Sequence, residues 1–513
     1  MMGQRRFAPK LYYQLSLDRL VPADHLLRRI ASAIDFSFVY PMARPYYSHT
    51  GQPSVDPAVL FKALLIGYLY GITSERRLMD EVQVNLAYRW FLCYDLDEDI
   101  PDHSVLSKAR VRFGLEVFEG FFQRSIELCR EAGLLCEGPV YVDSTLGRVA
   151  ASMDSLVEIR DSVNPPYSVN EYVRRLYEEN VVSPQEDSAR EEEPCKLSDG
   201  EPDMAPDTGV PPRYRKGRPD GHRRKANSEL VSRTDPEATV ISRRGFDMHL
   251  AYKAHMAVAG KKGQVITAAV ATTGAKADEH LLGEVLWHHR RLSHLPIRDI
   301  VADAKYGTMT NYLYLHQAGM KAFIPSRHHK RGPGGVWGRD HFQYLPDEDA
   351  YLCPAEKRMR RFTRRDSTRR IGYRVEKGAC KSCSLRERCT PSGGERTISR
   401  FYDHELIEEA EERVASVLGR WLLHERQVRS EGAFALAKEL HGLRRTRFKG
   451  RRKVQIQLWL TAAAMNIKRA AKALGPIPPA VAATRAAVPG CRSTGPGHSL
   501  ILARATTASA CSL

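Results

Sequence analysis

Apolar positions along this chain follow two periods, and the change from one to the other divides it. Residues 10–135 keep a helical spacing. "PAVLFKALLIGYLYG", from Pro57, is apolar nearly all round, which predicts a helix buried on every side. Asp56 stands at its N-cap and Pro57 in its first turn. A second helix is predicted over 73–92, starting at Thr73 or Ser74. A third, over 101–114, is entered through Pro-Asp and carries Lys108, Arg110 and Arg112. One basic helix in a compact helical domain fits a helix-turn-helix DNA reader or a plain bundle with a solvated basic face.

From residue 138 the pattern turns to strands. "GPVYVDSTLGRVAAS" (138–152) opens with a short one, and 248–260 and 264–274 are longer ones joined by Lys-Lys-Gly. A helix is predicted over 278–292, then the strand "DIVADAKYG" (299–307), a helix over 308–320 and a strand over 321–326. Strands followed by alternating helices and strands predict an α/β fold, a mixed sheet with flanking helices behind an all-α N-terminal domain. The α/β core is thus expected over 138–152 and 246–326, with helices completing it over 401–474. Two stretches interrupt it. Residues 153–245 are polar, Pro-rich and dense in charge, and read as a largely disordered insertion. Residues 327–400 form an Arg- and Cys-rich insertion, and 475–513 an unstructured tail.

Charge narrows the function. The chain of 513 residues carries a formal net charge of +17 and has a pI near 9.4, which points to a polyanionic partner. A membrane fits poorly, because the longest apolar stretch, 57–72, is too short to span one and is broken by Lys62. The first twenty residues hold no hydrophobic signal core, so a cytoplasmic, nucleoid-associated location is expected.

The candidate chemistry lies in three acids. "VYVD" and "IVAD" are apolar strands that each stop on a carboxylate, Asp143 and Asp303. Aspartate is an ordinary turn former and cap. Two of them at matching strand ends can instead share a hard cation such as Mg²⁺, which relieves their mutual repulsion. Glu431 stands seven residues before Lys438, about two turns along one helical face, and "RRTRFKGRRK" (444–453) follows with seven basic residues in ten. An acid for metal followed by cations for phosphate suits cleavage of nucleic acid, although the Glu431–Lys438 pair alone also fits a solvated helix face.

Four of the ten cysteines, Cys353, Cys380, Cys383 and Cys389, fall in the second insertion. Their spacing fits one structural Zn²⁺ site, or four reduced thiols. His249, His255 and His280 lie near strand ends or a helix start; His280, in Asp-Glu-His, either lies near the site or is a satisfied structural histidine. "PGCRSTGPGHS" (489–499) lacks the end of a phosphate-binding loop.

Taken in order, "VYVDSTLGRVAAS", "AYKAHMAV", "ATTGAKADEHLL", "VADAKYG" and "EGAFALAKELHGLRRTRFKGRRKVQIQLWLTAAAMNIKR" resemble a bacterial insertion-sequence transposase of the DDE type. The stretch from "YYQLSLDRL" to "SVLSKARVRFG" is similar to the helical domain that precedes such cores. The resemblance implies an RNase H-like fold, with Asp143, Asp303 and Glu431 as the catalytic and metal-binding triad for Mg²⁺ or Mn²⁺. It implies cleavage at element ends and strand transfer into target, and contacts from Lys438, Arg444, Arg445, Arg447 and Lys449 to double-stranded DNA bearing terminal inverted repeats. It also implies a homo-oligomer assembled on that DNA. The chain departs from the family pattern at His424 and Gln427, where Tyr and Arg are usual, with Arg426 and Arg429 close by; Lys305-Tyr306-Gly307 replaces the usual Gly-Tyr. The competing readings are a metal-dependent RNase H-like nuclease without strand transfer, and a decayed, purely DNA-binding protein.

Overall fold

The computed structural model describes residues 15–48, 50, 54–158, 227, 230–242, 248–260, 265–327, 336–366, 369–390 and 394–475. The core of the first insertion, the tail beyond 475 and the 489–499 run lie outside them.

Eight helices come first: α1 Leu17–Leu20, α2 Leu26–Ala33, α3 Val39–Ala43, α4 Pro57–Leu69, α5 Glu75–Val84, α6 Leu86–Leu92, α7 Ser104–Arg112 and α8 Leu115–Glu131. Helix α4 is buried along almost its whole length, and the Asp56 carboxylate caps it by accepting from Ala58 N at 2.7 Å. The single helix expected over 73–92 is two. Asn85 breaks it, its side-chain oxygen accepting from Ala87 N and Tyr88 N to start α6, which is how asparagine competes with a helix interior.

A mixed sheet follows: β1 Val140–Arg148, β4 Thr239–Ile241, β5 His249–Ala259, β6 Val265–Thr273, β7 Asp299–Ala302 and β8 Lys321–Phe323, in the order β4-β5-β1-β7-β8, with β6 also paired to β5. A small separate ladder joins β2 Leu156–Glu158 to β3 Leu230–Ser232. Strands β7 and β8 run parallel to β1, and β5 antiparallel. Alternation along the strands divides two cores. Val140, Val142, Ile300 and Ala302 pack under α9 Leu282–Ser293, α10 Met309–Gln317 and α12 Glu405–Ala415, while Tyr141 and Val301 join the core of the N-terminal helices. Helices on both faces of a mixed sheet are consistent with an RNase H-like fold behind an α-helical region.

The element that ties these parts together is α15 Arg451–Ala473, a helix of 23 residues packed on α8, α2, α4 and β6. Its amides cover the free edge of β6. Gln455 accepts from Ala271 N at 2.7 Å and donates to Ala269 O at 2.9 Å; Asn466 accepts from Ile266 N at 3.0 Å and donates to Ile266 O at 2.8 Å. An edge strand that would otherwise offer unpaired backbone is thereby closed by side chains.

The second insertion is a sheet, which sequence patterning did not predict. Strands β9 Gln343–Leu345, β10 Ala350–Leu352, β11 Arg358–Arg365, β12 Arg370–Arg374 and β13 Thr397–Phe401 run antiparallel in the order β13-β12-β11-β10-β9 around Tyr351, Met359, Tyr373 and Ile398. The short α11 Arg386–Cys389 precedes β13. The closing helices are α12, α13 Val417–Arg426, α14 Gly432–Leu440 and α15, with a π-helical turn over Gln427–Glu431 between α13 and α14.

Burial sets one pH dependence. His289 in α9 is enclosed, its Nδ1 2.7 Å from Thr267 Oγ1 and its Nε2 without a partner, and desolvation pushes its pKa down to about 4. The unfolded chain therefore takes up the proton first, so stability is intact above about pH 6.5 and falls as pH drops toward 4. The loss is on the order of 3 kcal/mol from this residue. Denaturant melts of His289→Leu should show a shallower decline over that window than the parent; an equal decline would assign the acid sensitivity elsewhere.

Candidate active site

The expectation that β1 ends at Asp143 is not met, since β1 pairs with β5 as far as Arg148. What ends there is the parallel neighbour. The last register pair between β1 and β7 is Val142 with Ala302, and the next residue on each chain is an aspartate. Asp143 and Asp303 therefore leave the ladder side by side, on the face shared by Tyr141 and Val301. Asp303 is held in extended backbone (φ −79°, ψ 171°), and its carboxylate accepts from Lys305 N at 3.0 Å. Gly307 lets the chain turn away, for a Cβ there would lie 2.1 Å from Pro325 O.

Asp143 is buried. Its carboxylate accepts from Ser144 N at 2.7 Å and from Arg426 Nη1 at 2.7 Å. Desolvation raises its pKa, the Ser144 N–H and Arg426 oppose this, and the charge of Asp303 adds to it. Arg426 also lies 3.9 Å from Glu431 Oε1, whose side chain is well exposed. The π turn brings this about. Its i→i+5 bonding widens the turn, so that residues 426 and 431, five apart, face the same way, which α-helical spacing would not allow. Arg426 thus stands between Asp143 and Glu431.

A fourth acid belongs to the cluster. Asp278, almost fully buried, accepts from Ser144 Oγ at 2.7 Å and faces Lys253 Nζ at 3.1 Å and His255 Nδ1 at 3.8 Å. Burial raises its pKa, but Lys253, Ser144, His255 and Lys305 outweigh that and hold it below the usual value. Lys305 Nζ bridges Asp278 at 3.6 Å and Asp303 at 3.5 Å. Sequence reading passed over Asp278 for His280 two residues on; nothing in the local pattern separates Asp278 from a helix-leading acid. His280 Nε2 is buried without a partner, His249 opens β5, and His255 is kept neutral by burial, its pKa pushed down to about 3.

Among the described residues no group of three or more His, Cys, Asp or Glu side chains stands at the spacing of a metal shell. In the acid cluster two cations, Arg426 and Lys305, lie between the carboxylates instead. The donor chemistry still suits a hard divalent ion: several carboxylates, one of them buried, whose charges repel unless a cation is near.

The basic run divides by use. Residues 444–446 lie against the end of β1, with Arg148 N donating to Arg444 O and Thr446 N to Arg148 O. Arg447 was expected on DNA, but its guanidinium turns inward: it donates to Ile72 O at 3.1 Å and His441 O at 3.3 Å and covers the Tyr68 ring at 4.0 Å, tying this segment to the N-terminal helices. Arg444 pairs with Glu439, while Arg445 and Lys449 are exposed. Lys438 lies on α14, half-buried. Arg429, within the π turn, also serves packing, through Glu425 at 2.7 Å and Gly260 O at 2.5 Å. On α7, Lys108 and Arg112 share a cleft of about 370 Å³ with Phe448 and Lys453, while Arg110 is buried against Glu75 and the Phe448 ring.

The four cysteines are neighbours, though not at the spacing of a metal shell. Cys353, Cys380, Cys383 and Cys389 line one cavity of about 20 Å³ behind the five-stranded sheet, and Lys357 N donates to Cys353 Sγ at 3.3 Å. Burial pushes the Cys389 thiol up, Arg396 opposes this, and the other three cysteines add to it.

Among the described residues no helix is long and apolar enough to cross a membrane. No curated protein matches the chain. Two family models do: "Transposase domain (DUF772)" over residues 15–112, which spans α1–α7, and "Transposase DDE domain" over 352–471, which takes in the cysteines, the π turn with Glu431, the basic run and most of α15. The N-terminal helices thus match one transposase domain and the late segment another, and together the two matches support an insertion-sequence transposase of the DDE type.

Proposed function

We propose that Asp143, Asp303 and Glu431 form the catalytic site of a transposase that cuts double-stranded DNA at the ends of its element and joins the freed ends to target DNA. The observation that carries this is the register: the two aspartates follow a matched pair on adjacent parallel strands, with Arg426 linking one of them to Glu431. A divalent ion held by these carboxylates, Mg²⁺ or Mn²⁺, would supply Lewis-acid stabilisation of the phosphodiester and an acidified water. The chain supplies the rest. Ser144 N–H and Lys305 N–H hold the two aspartates in fixed orientations, so little reorganisation is needed when DNA arrives. Exposed Arg445 and Lys449, with Lys438, would take phosphates beside the cut. In the cleavage step water adds to phosphorus and the 3′ oxygen leaves as a hydroxyl; in strand transfer that hydroxyl attacks a target phosphodiester and displaces its 3′ oxygen. Duplexes carrying the inverted repeats that flank the coding region, incubated with Mn²⁺ or with EDTA, test this. End cleavage plus joined products is expected. Cleavage without joining would favour a nuclease, and binding without either a DNA-binding protein that has lost its chemistry. Assembly of several copies on the DNA is part of the same proposal, read by sedimentation of the complex.

The cysteine quartet is proposed as a structural Zn²⁺ site that stabilises the insertion and leaves the chemistry alone. Four thiols around one small cavity, one of them receiving a backbone N–H, support it. Metal analysis of protein purified without chelators should find about one zinc per chain, and chelation should open residues 336–401 to protease first. Protein without zinc whose digestion pattern ignores chelators would leave the cysteines as packed thiols.

A further inference from the structure

The five-stranded sheet carries an arrangement that its own stability does not explain. Strand β11, "RMRRFTRR", holds five arginines in eight residues. Its register with β12 sets Arg360 directly opposite Arg374, and Arg365 directly opposite Arg370. Like charges directly across an antiparallel ladder are destabilising, so a sheet shaped only for folding would not place two such pairs on one ladder. Neighbouring arginines of the same strand are neutralised: Arg358 lies 3.1 Å from Glu348, Arg361 3.9 Å from Asp349 and Arg364 2.8 Å from Asp366. Arg360 and Arg374 are both exposed and neither forms an ion pair among the described residues, although the Glu395 carboxylate is near enough to feel the charge of Arg374. Arg374 lies over the Phe362 ring, itself 43% exposed, at 4.7 Å.

The rows of this face follow from the register. Arg360, Arg374 and Thr397 form one row across three strands; Thr363, Gly372 and Ser399 form the next; Arg365, Arg370 and Phe401 form the third. Small and hydroxyl-bearing residues thus lie between two arginine rows, and no acid lies in any of the three. The two arginine rows stand four positions apart along β12, about 13 Å at strand rise, too far for both to hold one phosphate. The spacing suits a ligand with repeated anions.

We infer that the exposed face of β11, β12 and β13 binds the sugar–phosphate backbone of double-stranded DNA, as a surface separate from the acid cluster. The inference rests on the transposase reading for its choice of polyanion, and the net charge of +17 agrees with it. Guanidinium groups suit phosphate because their planar forks donate two parallel hydrogen bonds.

The test is binding of the full chain to a random-sequence duplex in EDTA, over a salt series, so that cleavage plays no part. Arg360→Gln/Arg374→Gln should flatten the log–log salt dependence by about 0.9 for each phosphate no longer neutralised, about 1.8 for the pair. Without DNA the same variant should melt no lower than the parent, because removing facing like charges relieves the sheet. Arg360→Lys/Arg374→Lys should keep most of the slope. An unchanged slope, or a lower DNA-free melting temperature with unchanged affinity, overturns the proposal. So does a loss confined to single-stranded DNA or to polyglutamate, which would assign the face to another anion. Absence of Mn²⁺-dependent cleavage with the slope lowered would reject the catalytic reading alone; cleavage with the slope unchanged would reject this surface alone.

Discussion

Asp303→Asn is expected to leave DNA bound and uncut. The substitution preserves size and can keep the hydrogen bond from Lys305 N, so the turn at 303–307 should survive. It removes one of two neighbouring carboxylates, and with it the charge that would hold a divalent ion. A catalytic ion contributes several kcal/mol to transition-state stabilisation, so its loss predicts a fall in cleavage of about a hundredfold or more. Affinity should change little, because the cations that would meet phosphate are elsewhere. Arg445→Gln/Lys449→Gln should do the reverse, lowering the salt slope by about 0.9 for each phosphate released while slow cutting continues at saturating protein. Arg447 is left out of that set, since its guanidinium holds Ile72 O and His441 O and its removal would loosen the fold. Mobility shifts and cleavage gels on the same preparations separate the two effects. Wild-type cutting by Asp303→Asn would reduce "DIVADAKYG" to a strand with a capped turn.

The parts of this site that sequence made legible are those fixed by short-range pattern. Apolar runs marked β1, β5, β6 and β7, and the acids after Val142 and Ala302 stood out because a carboxylate following three apolar residues is conspicuous in a line of text. The continuation of β1 past Asp143 was hidden, because "STLGR" has turn-like composition and is kept extended only by its long pairing with β5. The π turn was equally hidden. Its consequence, Arg426 facing Glu431, depends on one extra residue in a helical turn, and no local preference signals that. Asp278 enters through Lys305, an approach made only when β6 and β7 are in one sheet. The insertion sheet escaped because arginine fills strand positions that an alternating pattern would give to smaller polar residues, so a thin core of Tyr351, Met359, Tyr373 and Ile398 read as irregular.

Arg426→Gln should expose how the cluster keeps its charges. In the parent, Arg426 and Asp143 form a nearly buried pair at 2.7 Å, each side chain 11% exposed. Removing one member of such a pair leaves the other charge uncompensated, at a cost of about 3–5 kcal/mol in the general case. Here Ser144 N–H still holds Asp143, so the lower end of that range is expected. Burial already raises the Asp143 pKa and Arg426 opposes the rise, so its removal raises it further. The folded variant then keeps a proton that the unfolded chain loses near the ordinary aspartate value of 3.8. The sign follows: below that value the variant loses little, and its stability deficit widens as pH rises through the folded-state pKa, then levels once Asp143 is ionised. Mg²⁺ or Mn²⁺ should recover part of the deficit at neutral pH, because the carboxylates then regain a counter-charge, and should raise the melting temperature of the variant more than that of the parent. Arg426→Lys restores charge without a planar fork to span Asp143 and Glu431, so it should recover stability better than cleavage. Thermal melts in EDTA and in Mn²⁺ from pH 4 to 8 carry the test. A variant as stable as the parent at pH 8 in EDTA would mean that Arg426 does not neutralise Asp143, and the cation between the acids would have to be sought at Lys305.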